Sequence, residues 1–431
     1  MLKFGKKVVK FRIPILIVSF LLLIPAAIGF FNTRINYDIL SYLPNDIDTM
    51  KGQEILVDEF GTGAFSVAVV EGMDETGVSA LRDKISKVDH VKDVIWYDSL
   101  LDLSVPMDVL PDEVKDAFNS ADGDATLMMI LFDTSTSADE TLDSIEEIRG
   151  MTDRQCLLSG MSAVVTDIKK ICNSEAVMYV VIAALLSAVV LALTMDSFLV
   201  PVFFLLSIGM AIVYNLGSNF ISGEISFITQ ALAAVLQLAV TMDYSIFLWH
   251  SYQENLEKYD NDKERAMAHA ISNTIVSVVG SSITTVAGFV AMCFMTFTLG
   301  FDLGVVMAKG VILGVIGCVT ILPSMILVFD KAIQKTKHKA IIPDLGKIGD
   351  FVTKKYVVFI VLFLVILGPA VYGYTHNDVY YDLAGTLPDN LESVMANSEL
   401  EDKFSMGATH MILCDSNMSS KDTSDMIDEI S

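Results

Sequence analysis

Apolar residues run along this chain in stretches longer than a soluble core helix or strand requires. Seven of them, 13–31, 176–193, 198–217, 225–249, 273–297, 303–329 and 356–374, approach or exceed the roughly 20 apolar residues that cross a bilayer. They predict an α-helical polytopic membrane protein. The first stretch outlasts the apolar core of about 7–15 residues in a secretory signal, so it reads as a retained helix despite Pro25-Ala26-Ala27, which imitates a cleavage site. Residues 32–172 follow another pattern, in which strand-like runs (65–70, 91–97, 126–132 and 155–158) alternate with helix-like ones (75–88 and 138–149). Two βαβ units of that length predict an α+β ferredoxin-like sandwich, with 101–118 inserted between them.

Charge orients this pattern. The 431 residues are 53% hydrophobic and 19% charged, too apolar for disorder or collagen. Their 29 Lys+Arg against 53 Asp+Glu, net −24, disfavour nucleic acid as a partner. The imbalance is local: residues 32–172 hold about 28 acids and 11 bases, whereas Lys3, Lys6, Lys7, Lys10 and Arg12, and Lys335, Lys337, Lys339, Lys347 and Lys354 in the 331–354 linker, form basic clusters. Basic loops face the cytoplasm. The N-terminus and the linker are therefore expected inside, in a cell-membrane protein whose 32–172 domain is extracytoplasmic. The five cysteines lack the short paired spacing of a zinc site or a disulfide scaffold, although Cys156 and Cys172 can pair if both lie outside.

An ungapped repeat links the two ends. An offset of 344 positions carries Lys10 to Lys354, Pro25 to Pro369, Gly29 to Gly373, Tyr37-Asp38 to Tyr381-Asp382, Leu43-Pro44 to Leu387-Pro388, and Asp58, Phe60 and Gly63-Ala64 to Asp402, Phe404 and Gly407-Ala408. The expected organisation is a first transmembrane helix (1–31), an exterior domain (32–172), a five-helix transmembrane module (173–330), the basic linker (331–354), a seventh helix repeating the first (355–375) and the start of a second exterior domain (376–431). A completed repeat would need at least about 670 residues and about twelve spanning helices. The missing C-terminal half of the same protein is thus an expected partner.

Chemistry concentrates in the stretch from Ile225. Asp243 lies about 18 residues, or about 27 Å, along it and is followed by Ile246, Phe247, Leu248 and Trp249. An ionisable group at that depth costs about 2.5–3.5 kcal/mol to insert, which points to a proton or ion carrier; the alternative is a helix that ends early and leaves Asp243 wet. Gln230, Gln237, Thr241 and Tyr244 form one polar stripe that serves either helix packing or a proton path, while Asp243 points about 100° away from Tyr244. Ser277, Ser281, Thr284 and Gly288 form a small-residue face, and Gly300/Gly304 and Gly310/Gly314 have GxxxG spacing; both patterns suit close helix packing. Lys309 either snorkels outward or pairs with Asp302 or with a helix not in the chain. The sequence contains no phosphate loop, no HExxH and no GxSxG, so neither enzyme chemistry nor a cofactor or metal is expected.

The residues Thr241–Tyr244, with Thr284-Thr285-Val286-Ala287-Gly288-Phe289 and Leu322-Pro323-Ser324, resemble the MMPL family of the RND superfamily of proton-driven exporters. The resemblance covers essentially the whole chain. It implies that Asp243 and Tyr244 belong to a proton relay, that the exterior domains are porter domains passing a hydrophobic or amphipathic substrate, and that 176–329 is similar to a sterol-sensing module in contact with membrane lipids. Two departures limit it. The arginine many relatives carry after the Asp-Tyr helix is replaced by His250-Ser251-Tyr252-Gln253-Glu254, and the relay's second half is absent from these residues. The expected function is proton-motive-force-driven export of lipid or drug. The alternative is a non-transporting lipid-sensing or assembly scaffold, and the sequence is compatible with an oligomer.

Overall fold

A computed structural model describes residues 1–100, 115, 117–152, 155–338, 346–377, 384–407, 412–414, 418–419, 421–422, 424 and 426. Most of the insertion expected at 101–118 lies outside the described residues. The chain divides into two compact units, 1–42 with 171–382, and 43–170 with 383–431. The segment from 383 on is therefore built into the same unit as 43–170.

The chain opens with α1 (Leu2–Lys10), which buries Gly5, Val8 and Val9 and exposes its lysines. Next come α2 (Arg12–Asn32), β1 (Arg34–Asn36), α3 (Asp48–Asp58), β2 (Ala64–Glu71), α4 (Glu75–Ile85), β3 (Val91–Ile95) and β4 (Ala125–Phe132). Then follow α5 (Asp139–Met151), β5 (Cys156–Ser159), α6 (Met161–Thr194), α7 (Leu199–Gly217), β6 (Glu224–Ser226), α8 (Phe227–Lys258) and α9 (Lys263–Met292). The last are α10 (Leu299–Ile316), α11 (Leu322–Val328), α12 (Gly346–Lys354), α13 (Tyr356–Thr375) and α14 (Glu392–Phe404).

Seven helical segments are long and apolar enough to cross a membrane, and the protein is a multi-pass membrane protein. Several outrun the apolar stretches that announced them. The run 225–249 becomes α8, entered through a cap in which Ser226 accepts from the Ile228 N–H at 3.2 Å, and 273–297 begins ten residues earlier as α9, capped by Asp262. Apolarity marks the bilayer, while the hydrogen-bond ladder continues to the next cap or turn. Between α10 and α11 the helix widens into a π turn at Gly317–Ile321, where Pro323 has no N–H to donate and would crowd the ladder of a regular helix.

In the first unit, Phe204, Leu248, Trp249, Ile271, Val311 and Leu322 interlock in one core. Glycines allow its closest crossings: a Cβ at Gly29 would lie 2.2 Å from the Gly217 carbonyl oxygen. The repeat of α2, α13, keeps the matching Gly373 but buries none of its residues among those described.

In the second unit, β3-β4-β2-β5 form one sheet in that order, every neighbouring pair antiparallel, with Ala64 opposite Phe132 and Val70 opposite Cys156. Two strand–helix–strand units interleave to give this order. One face buries Ala68, Val70, Met128 and Ile130 against Val78, Ile85, Ile145 and Ile148 of α4 and α5. On the other face Val67, Val69 and Leu127 pack against Leu400 of α14. With both faces covered, the centre of β2 is the apolar run Val67-Ala68-Val69-Val70 rather than an alternation of apolar and polar residues. Beside this contact, Arg149 forks onto Asp167 at 2.8 and 3.1 Å and approaches Glu392 at 3.1 Å, and the Ser393 N–H donates to Asp167 at 3.0 Å. Under the repeat, the buried Ser393, Ala396 and Leu400 correspond to Thr49, Gly52 and Leu56 of α3, a helix that buries no residue.

Cys156 and Cys172 are both free thiols. Burial pushes the Cys156 thiol up to about 12, so at pH 8 it stays neutral and unreactive. In the folded protein, maleimide at pH 8 is expected to label exposed Cys414 within minutes and to leave Cys156 unmodified. Peptide mass spectrometry reads this directly, and equal labelling would contradict the packing of β5.

Candidate functional site

Membrane helices α7, α8 and α10 converge on a polar seam. Gln237, 1% exposed, accepts a hydrogen bond from Asn215 Nδ2 at 3.0 Å and donates through Nε2 to the Gly310 carbonyl at 3.0 Å. One turn further, the Thr241 hydroxyl donates to the Gln237 carbonyl at 2.6 Å. Buried amides require such partners, because hydrocarbon supplies none. The glycines of α10 make room: a Cβ at Gly310 would lie 2.6 Å from Asn215 Nδ2, and one at Gly314 would lie 2.2 Å from Thr241 Cγ2. The polar stripe and the GxxxG face are thus two sides of one contact. Gly314→Val is expected to force α8 and α10 apart and remove most monodisperse protein in gel filtration, whereas Gly349→Val, with nothing within 4 Å, leaves the elution profile unchanged.

Asp243 and Tyr244 part company on α8. Tyr244 is buried in the first unit's core at 4% exposure. Asp243 is exposed, on an outward stripe with Leu236, Ala239 and Phe247. Helical geometry requires the separation, since adjacent residues point about 100° apart. Gln230 is half-buried and His250 exposed. Ser277, Ser281, Thr284 and Gly288 lie on an exposed face of α9, where nothing within 4 Å would meet a Cβ at Gly288. The close contact between α9 and α10 is made from the α10 side instead, where a Cβ at Gly304 would lie 2.5 Å from the Phe289 carbonyl oxygen.

A second polar cluster gathers at the α10 N-terminus. Asp302 accepts from the Ser226 N–H at 2.9 Å and from the Thr229 hydroxyl at 2.5 Å. Thr298 donates to the Tyr42 carbonyl through both its N–H and its hydroxyl, each at 3.0 Å. Burial, with the Asp302 and Glu224 carboxylates nearby, pushes the Tyr42 phenol well above its ordinary value. Lys309 bonds the side-chain oxygen of Asn219, which is 1% exposed, and Asp302 is engaged elsewhere. The sequence reading of Lys309, snorkelling outward or pairing with Asp302 or with a helix not in the chain, does not include Asn219, and it also misses Asn215. Their signal was two amides at the end of an apolar run, four residues apart and so on one helix face.

These features define a multi-pass membrane protein with a polar seam inside its helix bundle and an α+β unit. The chain matches the family model of the MMPL family over residues 48–353 and belongs to that family. It is 23% identical over 409 residues to the apo-petrobactin exporter of Bacillus anthracis, an alignment covering 85% of this chain and 55% of the exporter. Over 377 residues it is 25% identical to the probable transport protein MmpL12 of Mycobacterium tuberculosis, covering 83% of this chain and 31% of that protein. The chain thus spans about half, or less, of the length of these curated relatives.

Proposed function

We propose that this protein takes part in proton-driven export of a hydrophobic or amphipathic substrate across the cell membrane, with Asp243 as the proton carrier and Tyr244 beside it in the relay. The observation that carries this reading is the placement of Asp243: a carboxyl within a membrane helix, flanked on its exposed stripe by Ala239 and Phe247. An ionisable side chain within a membrane helix costs about 2.5–3.5 kcal/mol to insert, and such residues mark proton and ion pathways.

On this reading the basic N-terminus and linker lie in the cytoplasm, and the ferredoxin-like unit is an extracytoplasmic porter domain that hands substrate outward. The Bacillus anthracis relative, named as an exporter, supports the direction of transport, and membrane lipids surround the five-helix module. The seam of Asn215, Gln237 and Thr241 holds α8 in register with α7 and α10, so protonation at Asp243 can bias the tilt of α8 and, through α10, the Asp302 cluster. The test is efflux of a lipophilic fluorescent dye from energised cells expressing the protein. Efflux that an uncoupler stops supports the proposal; dye handling indifferent to the proton gradient would favour a lipid-binding scaffold.

A further inference from the structure

Four basic side chains converge where α1 lies along the start of α9. Lys6 and Lys10 from α1, and Arg265 and His269 from α9, line an open cavity of about 360 Å³ together with Asp262 and Glu264. The close approach of the two helices depends on Gly5, where a Cβ would stand 2.4 Å from the Ala268 carbonyl oxygen. Both acids are engaged: Glu264 pairs with Arg12 at 2.7 Å, and Asp262 accepts from the Arg265 N–H at 3.1 Å. With Arg12 balancing Glu264, the cavity keeps Lys6, Lys10 and Arg265 against Asp262 alone.

The arrangement also fixes its donors. The Arg265 guanidinium lies 4.5 Å from the Tyr259 ring centroid, and the His269 ring lies 4.6 Å from the same tyrosine, tilted by 30°. A guanidinium carries parallel N–H donors in a planar fork, the geometry that grips phosphate oxygens. Phe4 and Phe11 stand exposed among the lysines of α1, and α2, a span, begins at Arg12. Exposed rings beside lysines on a short amphipathic helix suit the interface between headgroups and acyl chains.

We propose that this cavity binds the phosphate of an anionic phospholipid headgroup and so pins α1 to the membrane surface. The site is independent of Asp243 and of the proposed transport cycle. Basic pockets at helix ends hold such headgroups, each base contributing about a fivefold gain in affinity.

The test uses the full chain in detergent, titrated with phosphatidylglycerol or phosphatidylcholine and read by native mass spectrometry. Wild type is expected to retain phosphatidylglycerol preferentially, and Lys6→Gln with Lys10→Gln to lose about 30-fold in that retention, two charges' worth. Arg265→Gln, one charge, should lose about fivefold, and Lys7→Gln, outside the cavity, should match wild type. Retention unchanged in the double variant would overturn the proposal. So would binding of inorganic phosphate that depends on Lys6 and Lys10 while phosphatidylglycerol shows no such dependence, since the site would then serve a free anion.

Discussion

Asp243→Asn is expected to reduce uncoupler-sensitive dye efflux to the background of cells lacking the protein, with expression and membrane insertion unchanged. The amide is nearly isosteric with the carboxyl but cannot release a proton. Among the described residues Asp243 stands on an exposed stripe rather than in a packed contact, so the substitution should change stability by no more than about 0.5 kcal/mol. Asp243→Glu keeps an ionisable group on a longer arm and should retain part of the efflux. The contrast separates loss of a carrier from loss of a fold, and wild-type efflux by the Asn variant would remove Asp243 from the mechanism. Tyr244→Phe should act more weakly, because Tyr244 sits in the core and the ring that fills it is kept.

The second large effect belongs to Arg149. It is 13% exposed, and its principal partner Asp167 only 4%. Arg149→Met leaves Asp167 buried with its charge unpaired, a loss of about 3–5 kcal/mol, and also frees Glu392 from its cation. Hydrogen exchange should then show faster exchange across β2 and β5, together with release of α14, whose Ser393 N–H also rests on Asp167. Combining Arg149→Met with Asp167→Leu removes both charges and should recover most of the stability, as replacement of a buried pair by apolar side chains commonly does. If the single variant proved as protected as wild type, the network would not hold the sheet and α14 together.

Much of the architecture was legible from residue order. Long apolar runs named the membrane helices, because a bilayer demands about 20 apolar residues whatever the rest of the chain does. The strands around Val67 and Met128 and the helix around Ile145 emerged within a few residues of their observed ends. Motifs at Thr241–Tyr244 pointed to the MMPL family, which the match over 48–353 bears out. Less legible were the partners. Lys309 bonds Asn219 rather than Asp302, and Gln237 bridges Asn215 and the Gly310 backbone, since each choice depends on how α7, α8 and α10 cross.

Residue order by itself therefore determined which segments enter the membrane, the strand and helix content of the acidic segment, and the 344-residue repeat, because hydrophobic length, periodicity and spacing are local properties of the chain. Tertiary structure alone decided that α14 covers the second face of the β3-β4-β2-β5 sheet, that Tyr244 is buried while Asp243 is exposed, and that Gly310 and Gly314 of α10, rather than the small-residue face of α9, meet a neighbouring helix. Those outcomes depend on which surfaces meet, and contacts between residues hundreds of positions apart leave no periodic trace in either partner.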